Sequence, residues 1–75
     1  MITIKFNSIL KRLNNNKEIS ELEFKENYKV KDILKMYKVI PGEVGIILLN
    51  SDLAAEEDDV RDGDVIEIFP IFGGG

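Results

Sequence analysis

The sequence contains no cysteine and no histidine. Without cysteine, the chain has neither a disulfide framework nor a thiolate metal site. Without histidine, it lacks the commonest general base, the commonest imidazole metal ligand, and the Ser-His and Cys-His pairs of nucleophilic catalysis. We therefore expect no metal site and no independent enzyme activity, so that any chemistry must use another group of the chain.

Clustered positive charge and long apolar runs are also missing. The 75 residues include 10 Lys and Arg against 14 Asp and Glu, a net charge of −4. This balance argues against nucleic-acid binding, which needs clustered cations, and favours a partner with a basic surface. The longest apolar stretch, Val44–Leu49, is far too short to span a membrane, and the N-terminus alternates like a strand rather than a signal peptide. The expected compartment is the cytoplasm, with neither nucleic acid nor membrane as partner.

The N-terminal third has the periodicity of a β-hairpin. Apolar and polar residues alternate over 2–6, which indicates a strand with one buried face. A second strand is predicted over 18–24. Between them, Asn14, Asn15 and Asn16 tolerate a left-handed backbone and bond their own main chain, so a turn is predicted over 10–17.

The next segment has the period of a helix. Apolar residues at i, i+3, i+4 and i+7 form one helix face, which consists of Val30, Ile33, Leu34 and Tyr37. The expected N-cap residue, Lys29, is a poor cap. The helical pattern ends at Pro41-Gly42.

The C-terminal half has the pattern of short strands joined by turns. Val44–Leu49 is apolar on both faces, which is typical of a central strand. A short edge strand is predicted over 53–55 and a last strand over 65–69. A tight turn at Arg61–Asp64 precedes the last strand, and Gly63 supplies its permissive backbone.

The order β-β-α-β-(β)-β predicts an α+β domain with a mixed four- to five-stranded sheet packed on one helix. The helix crosses over between strands, so some strands should be parallel. The domain is expected to cover 1–70, with a flexible C-terminal tail over 71–75. The predicted core consists of Ile2, Ile4, Leu22, Phe24, Val30, Ile33, Leu34, Tyr37, Ile46, Leu48, Ile66 and Ile68.

The C-terminal third carries a recognisable pattern. The stretch Asp62–Pro70, followed after three residues by Gly74-Gly75, resembles the MoaD/ThiS family of ubiquitin-like sulfur carriers, and within it the small subunit of molybdopterin synthase. Weaker support comes from the helical residues 30–34 and from Asn50 after the third long strand. The resemblance implies a β-grasp (ubiquitin-like) fold over the whole chain.

The resemblance also implies a chemistry for the chain end. In that family an adenylating enzyme of the ubiquitin-activating type uses ATP to activate the terminal glycine, which then becomes a thiocarboxylate. The reactive group here would be the main-chain carboxylate of Gly75, and no cofactor would be bound by the chain itself. Gly73 and Gly74 have no Cβ, so they suit passage through a narrow channel to the nucleotide.

Partner contacts are expected where the last strand passes into the tail, at Phe69, Pro70, Ile71 and Phe72. Phe69 should lie on the opposite face of the last strand from the core residues and form an exposed apolar patch with Ile47 or Leu49. The simpler alternative is that Phe69 and Phe72 cap the core. The acidic stretch 56–64 lacks the spacing of a calcium loop, so a solvated loop is expected there.

Several functions remain compatible with these residues. The first is a sulfur carrier for molybdopterin (molybdenum or tungsten cofactor) biosynthesis, acting beside the large catalytic subunit of molybdopterin synthase and favoured by Phe69-Pro70. Carriers for thiamine thiazole formation or cysteine synthesis are rivals. A protein modifier joined to lysines through Gly75 would begin with the same adenylation. A non-conjugated β-grasp binding module would not need the two final glycines.

Overall fold

The computed structural model describes residues 1–40 and 42–71. The predicted order of elements is confirmed, with one additional 3₁₀ helix after the first strand. The elements are β1 (Ile2–Phe6), the 3₁₀ helix (Ser8–Asn14), β2 (Ile19–Leu22), α1 (Val30–Met36), β3 (Val44–Leu49), β4 (Asp52–Leu53) and β5 (Val65–Pro70).

The five strands form one mixed sheet in the order β2-β1-β5-β3-β4. β1 and β5 are parallel, as the crossover through α1 predicts, and the other pairs are antiparallel. The central strand is therefore β5. β3 is an interior strand, as its two apolar faces predict, because it pairs with β5 on one side and with the two-residue edge strand β4 on the other. The last strand extends one residue beyond the predicted 65–69, because Pro70 lies opposite Val44 in β3.

The core lies between α1 and one face of the sheet. Most predicted core residues are buried or pack against it, but the structure reverses the faces of β3. Ile46 is 44% exposed, whereas Ile47 and Leu49 pack against the core. The alternation fails to predict this because both faces of β3 are apolar and a β-bulge shifts its register between Val44 and Ile46. Leu48 shares the outward face with Ile46, so both were predicted on the wrong side.

The segment predicted as a turn over 10–17 begins with the 3₁₀ helix. Leu10 in this helix is fully buried, and its N–H donates to the carbonyl of Asn7 over 3.1 Å. The asparagine run follows the helix instead of forming the whole connection. Asn15 and Asn16 both have positive φ, and the Asn14 amide donates to the carbonyls of Lys17 and Ile19. The core also includes Phe6, Leu10 and Val60, which the predicted core omitted.

α1 begins without a conventional N-cap side chain, as expected from Lys29. The Lys29 N–H donates to the carboxylate of Asp32 over 2.9 Å. The N–H groups of Val30 and Lys31 donate to backbone carbonyls of Asp58 and Glu56 over 3.0 and 2.9 Å. The loop before β5 thus satisfies N–H groups that have no partner within the helix. None of the helices in the described part of the chain has the length and apolar character of a membrane span.

Candidate functional site

The strand β5 leads directly to the predicted tail. β5 pairs with β1 on one side and with β3 on the other, so the chain reaches Pro70 along a strand that is hydrogen-bonded on both sides. Pro70 is buried, and the following Ile71 is 52% exposed. The ion pair between Arg12 of the 3₁₀ helix and Glu43 ties that helix to the start of β3, beside the end of β5. The base of the tail therefore begins from a fixed position.

An apolar surface lies on the sheet face away from α1, and we call it the outer patch. It consists of Ile46, Leu48, Leu53 and Phe69. Residues directly opposite each other in antiparallel strands share a face. Ile46 lies opposite Phe69, and Leu48 lies opposite Leu53. Leu53 is 80% exposed, so this surface is open to contact.

The expected patch is therefore present with different members. Phe69 does lie on the opposite face from Ile66 and Ile68, which are fully buried. Its apolar neighbours on β3 are Ile46 and Leu48, however, and not Ile47 or Leu49. The reason is again the register of β3, whose bulge at Gly45 cannot be located by alternation in an apolar strand.

Of the remaining predicted site residues, the structure describes Pro70 and Ile71. Pro70 is buried in the isolated chain and lies opposite Val44 at the end of β5, and its role in partner binding stays a prediction. Ile71 is the last described residue and is accessible. Phe72, Gly73, Gly74 and Gly75 lie outside the described residues, so their predicted roles in partner contact, channel passage and carboxylate chemistry stay predictions.

The turn before β5 is organised by the side chains of Asp64 and Asn50, both of which contribute to the family resemblance. Asp64 accepts from the Arg61 N–H over 2.8 Å and from the Asn50 amide over 2.9 Å. The Asn50 side chain in turn accepts from the N–H of Val65. Gly63 has φ +89°, as the tight turn requires. These residues fix the start of β5 against the end of β3 and are distant in the strand from the tail.

The acidic loop at 56–59 forms ion pairs with the start of α1. Lys29 lies 2.9 Å from Asp59, and Lys31 lies 2.8 Å from Glu57. The hydrogen bond and charge of Asp59 raise the pKa of Lys29, and the same contact lowers the pKa of Asp59. Glu57 likewise raises the pKa of Lys31. Within 1–40 and 42–71, no group of three acidic side chains is placed to hold a metal ion.

Comparison with known proteins identifies the family. The family model described as the ThiS family matches residues 4–75. The chain belongs to the ThiS family. It is a ubiquitin-like protein of the ThiS/MoaD sulfur-carrier type, and members of this type are small carrier subunits.

Solved structures similar to this ThiS-family chain have the same fold. A putative molybdopterin converting factor subunit 1 from Pyrococcus furiosus is 21% identical, with a TM-score of 0.76 over 92% of this chain and 94% of that one. SAMP1 from Haloferax volcanii is 18% identical, with a TM-score of 0.77 over 99% and 98%. A complex of subunits 1 and 2 of molybdopterin-converting factor from Helicobacter pylori contains a chain that is 26% identical, with a TM-score of 0.59 over 99% and 97%.

One residue near the site of this ThiS-family chain was missed in the sequence. Gly45 interrupts the apolar strand β3 and lies at the shift in its register. An isolated glycine within a strand pattern indicates a bulge or a close backbone approach, so a signal was present. The identity of the group that approaches it is visible only in the fold.

Proposed function

We propose that this chain carries sulfur as a thiocarboxylate on Gly75 and donates it in molybdopterin biosynthesis. In this role it is a small subunit without catalytic residues of its own, beside the large catalytic subunit of molybdopterin synthase. The observation that carries the proposal is the family match over residues 4–75, because it includes the Gly74-Gly75 pair.

The chemistry requires only the main-chain carboxylate from this chain. An oxygen of the Gly75 carboxylate attacks the α-phosphorus of ATP, and pyrophosphate leaves. Hydrosulfide, or a donor equivalent to it, then attacks the acyl carbon of the adenylate. AMP leaves with the former carboxylate oxygen, and the new C–S bond completes the thiocarboxylate. The adenylating partner binds ATP and positions its α-phosphate, which accounts for a carrier without histidine or cysteine.

The outer patch supports a docking role for the domain. Ile46, Phe69 and Leu53 present apolar surface on the face away from α1, and such surfaces mark interaction sites. Phe69 lies two residues before Ile71, so a partner that covers the patch also holds the base of the tail. Immobilising the tail costs about 1–2 kcal/mol per backbone residue, and contacts at the patch would offset this cost.

The choice of pathway is supported by the names of two structural neighbours. The proteins from Pyrococcus furiosus and Helicobacter pylori are both described as subunits of molybdopterin-converting factor. The second is part of a complex of subunits 1 and 2, which supports a protein partner for this chain too. We place the reaction in the cytoplasm, where the adenylating enzyme would have ATP.

The pathway is tested by sulfur transfer from the loaded chain. Thiocarboxylated protein is incubated with the large catalytic subunit of molybdopterin synthase and its pterin precursor. The proposal predicts that a dithiolene product forms as the thiocarboxylate is consumed, and that a variant lacking Gly75 yields no product. Transfer to a thiazole-forming enzyme alone would move the function to thiamine biosynthesis. Higher-mass conjugates that require Gly75 would instead indicate a protein modifier.

A further inference from the structure

Gly45 lies where β3 passes the base of the tail. Val44 pairs with Pro70, but the next paired residue of β3 is Ile46, opposite Phe69. Gly45 is therefore the extra residue of a β-bulge, with no partner of its own in β5. Bulges increase the local twist of a strand and redirect the chain beside them.

Pro70 and Ile71 leave little space beside Gly45. A Cβ atom at this position would lie 3.1 Å from the Cα of Ile71, 3.2 Å from the carbonyl oxygen of Pro70 and 3.3 Å from the Cγ1 of Ile71. Two of these three neighbours are backbone atoms, which cannot move away by a change of rotamer. An alanine here would force the chain at 70–71 to shift by a few tenths of an ångström.

The need for glycine at this position is spatial and not conformational. The φ of Gly45 lies outside the left-handed region, unlike those of Gly42 (+86°) and Gly63 (+89°). Any residue can therefore adopt the backbone conformation of Gly45. Gly45 is also exposed, so packing in the core does not exclude a side chain. The close approach of Ile71 is the remaining reason for the absence of a Cβ.

We propose that Gly45 is a positioning residue, which lets Ile71 lie against β3 and so fixes the base of the tail relative to the outer patch. The inference rests on the proposed function, because it concerns delivery of the Gly75 carboxylate to the adenylating enzyme. In this arrangement the outer patch binds the adenylating enzyme, and the contact between Gly45 and Ile71 orients the base of the tail relative to that patch. Reaction rates depend steeply on such orientation.

The test is Gly45→Ala, compared with Gly63→Ala as a control. Gly63 lies before the opposite end of β5. Its φ of +89° means that an alanine there strains the backbone, but a Cβ would meet nothing within 4 Å, so the variant does not touch the tail. The rate of thiocarboxylate formation is measured with the adenylating enzyme, ATP and sulfide. We expect Gly45→Ala to lower kcat by about tenfold while KM changes by less than about twofold, because the outer patch is intact.

A second measurement reports on Ile71 without using activity. In two-dimensional amide NMR spectra, Gly45→Ala should change the chemical shift of the Ile71 amide, while those of α1 and β1 stay in place. The nuclear Overhauser effects between Ile71 and position 45 should become weaker. Gly63→Ala should leave Ile71 unchanged and should retain the wild-type kcat at a temperature where both variants are folded. The double variant Gly45→Ala with Ile71→Ala should not recover the rate, because the Cα and carbonyl contacts remain.

The outcomes separate the two proposals. A wild-type chain that never forms a thiocarboxylate overturns the proposed function, and the NMR comparison still decides whether Gly45 positions Ile71. An unchanged Ile71 signal, an unchanged kcat in Gly45→Ala, or an equal loss of kcat in folded Gly63→Ala each overturns the positioning role. A rise in KM with constant kcat would also overturn it, because it would place Gly45 in the docking surface.

Discussion

Two adjacent aliphatic residues in the 3₁₀ helix should differ sharply in their contribution to stability. Leu10 is fully buried, whereas Ile9 is 66% exposed. Removing a buried leucine side chain typically costs about 2–5 kcal/mol, through lost burial and the cavity that remains. Exposed positions usually change stability by no more than about 0.5 kcal/mol. We therefore expect Leu10→Ala to destabilise the fold and Ile9→Ala to leave it nearly unchanged.

The size of the domain makes this difference decisive. A chain of 75 residues has a free energy of unfolding of about 4–11 kcal/mol. Leu10→Ala would therefore remove a large fraction of it, and a loss of even 2 kcal/mol would lower Tm by roughly 8–16 °C. Urea unfolding followed by far-UV circular dichroism gives both free energies, and an unchanged m-value would show that the unfolding transition itself is the same.

The comparison also separates the helix from the simpler alternative of a solvated turn. If the segment were such a turn, both alanine variants would behave alike and both would resemble the wild type. Equal unfolding midpoints for Leu10→Ala and Ile9→Ala would thus refute the account of this segment and of its place in the core.

Three further predictions concern other parts of the molecule. Ile46→Ala should raise the KM for the adenylating enzyme by about tenfold, the equivalent of about 1.4 kcal/mol, because Ile46 is in the outer patch. Met36 on α1 is similarly exposed, at 48%, and Met36→Ala should leave this KM unchanged. An equal rise in KM for both variants would contradict the docking role of the outer patch. Lys38→Gly should raise the free energy of unfolding in urea by about 0.5–1 kcal/mol, because Lys38 has φ +58° at the end of α1 and glycine adopts it freely; a lower midpoint would contradict this. Asp59→Asn should reduce the loss of stability between neutral pH and about pH 3. The hydrogen bond and charge of Lys29 lower the pKa of Asp59 in the folded chain. The ionised Asp59 therefore stabilises the fold above the usual carboxyl pKa, and this stabilisation is lost as the pH falls through the lowered pKa. An unchanged pH profile would show that this exposed pair adds nothing.

Elements with a single clear period could be predicted from the sequence. The alternation over 2–6 gave β1, and the helical spacing of Val30, Ile33 and Leu34 gave α1 with its buried face. The C-terminal pattern from Asp62 indicates the family independently of the fold. In each case one local rule and the tertiary structure favour the same conformation.

Features that depend on contacts between distant residues could not be predicted. β3 is apolar on both faces, so its alternation does not show that Ile46 faces outward, although Gly45 within the strand was a signal for the bulge. Leu10 looked like part of a polar turn because three asparagines follow it within a few residues. The contact between Gly45 and Ile71 joins residues that are far apart in sequence, and only the pairing of β3 with β5 brings them together.

The most direct test of the central claim is the intact mass of the chain after incubation with the adenylating enzyme, ATP and a sulfur donor. The account predicts a gain equal to one oxygen-to-sulfur exchange, located at Gly75 by fragmentation and absent both without ATP and in a variant lacking Gly75. An unchanged mass, with an adenylating enzyme shown to be active on its own carrier, would contradict the sulfur-carrier role and favour a binding module.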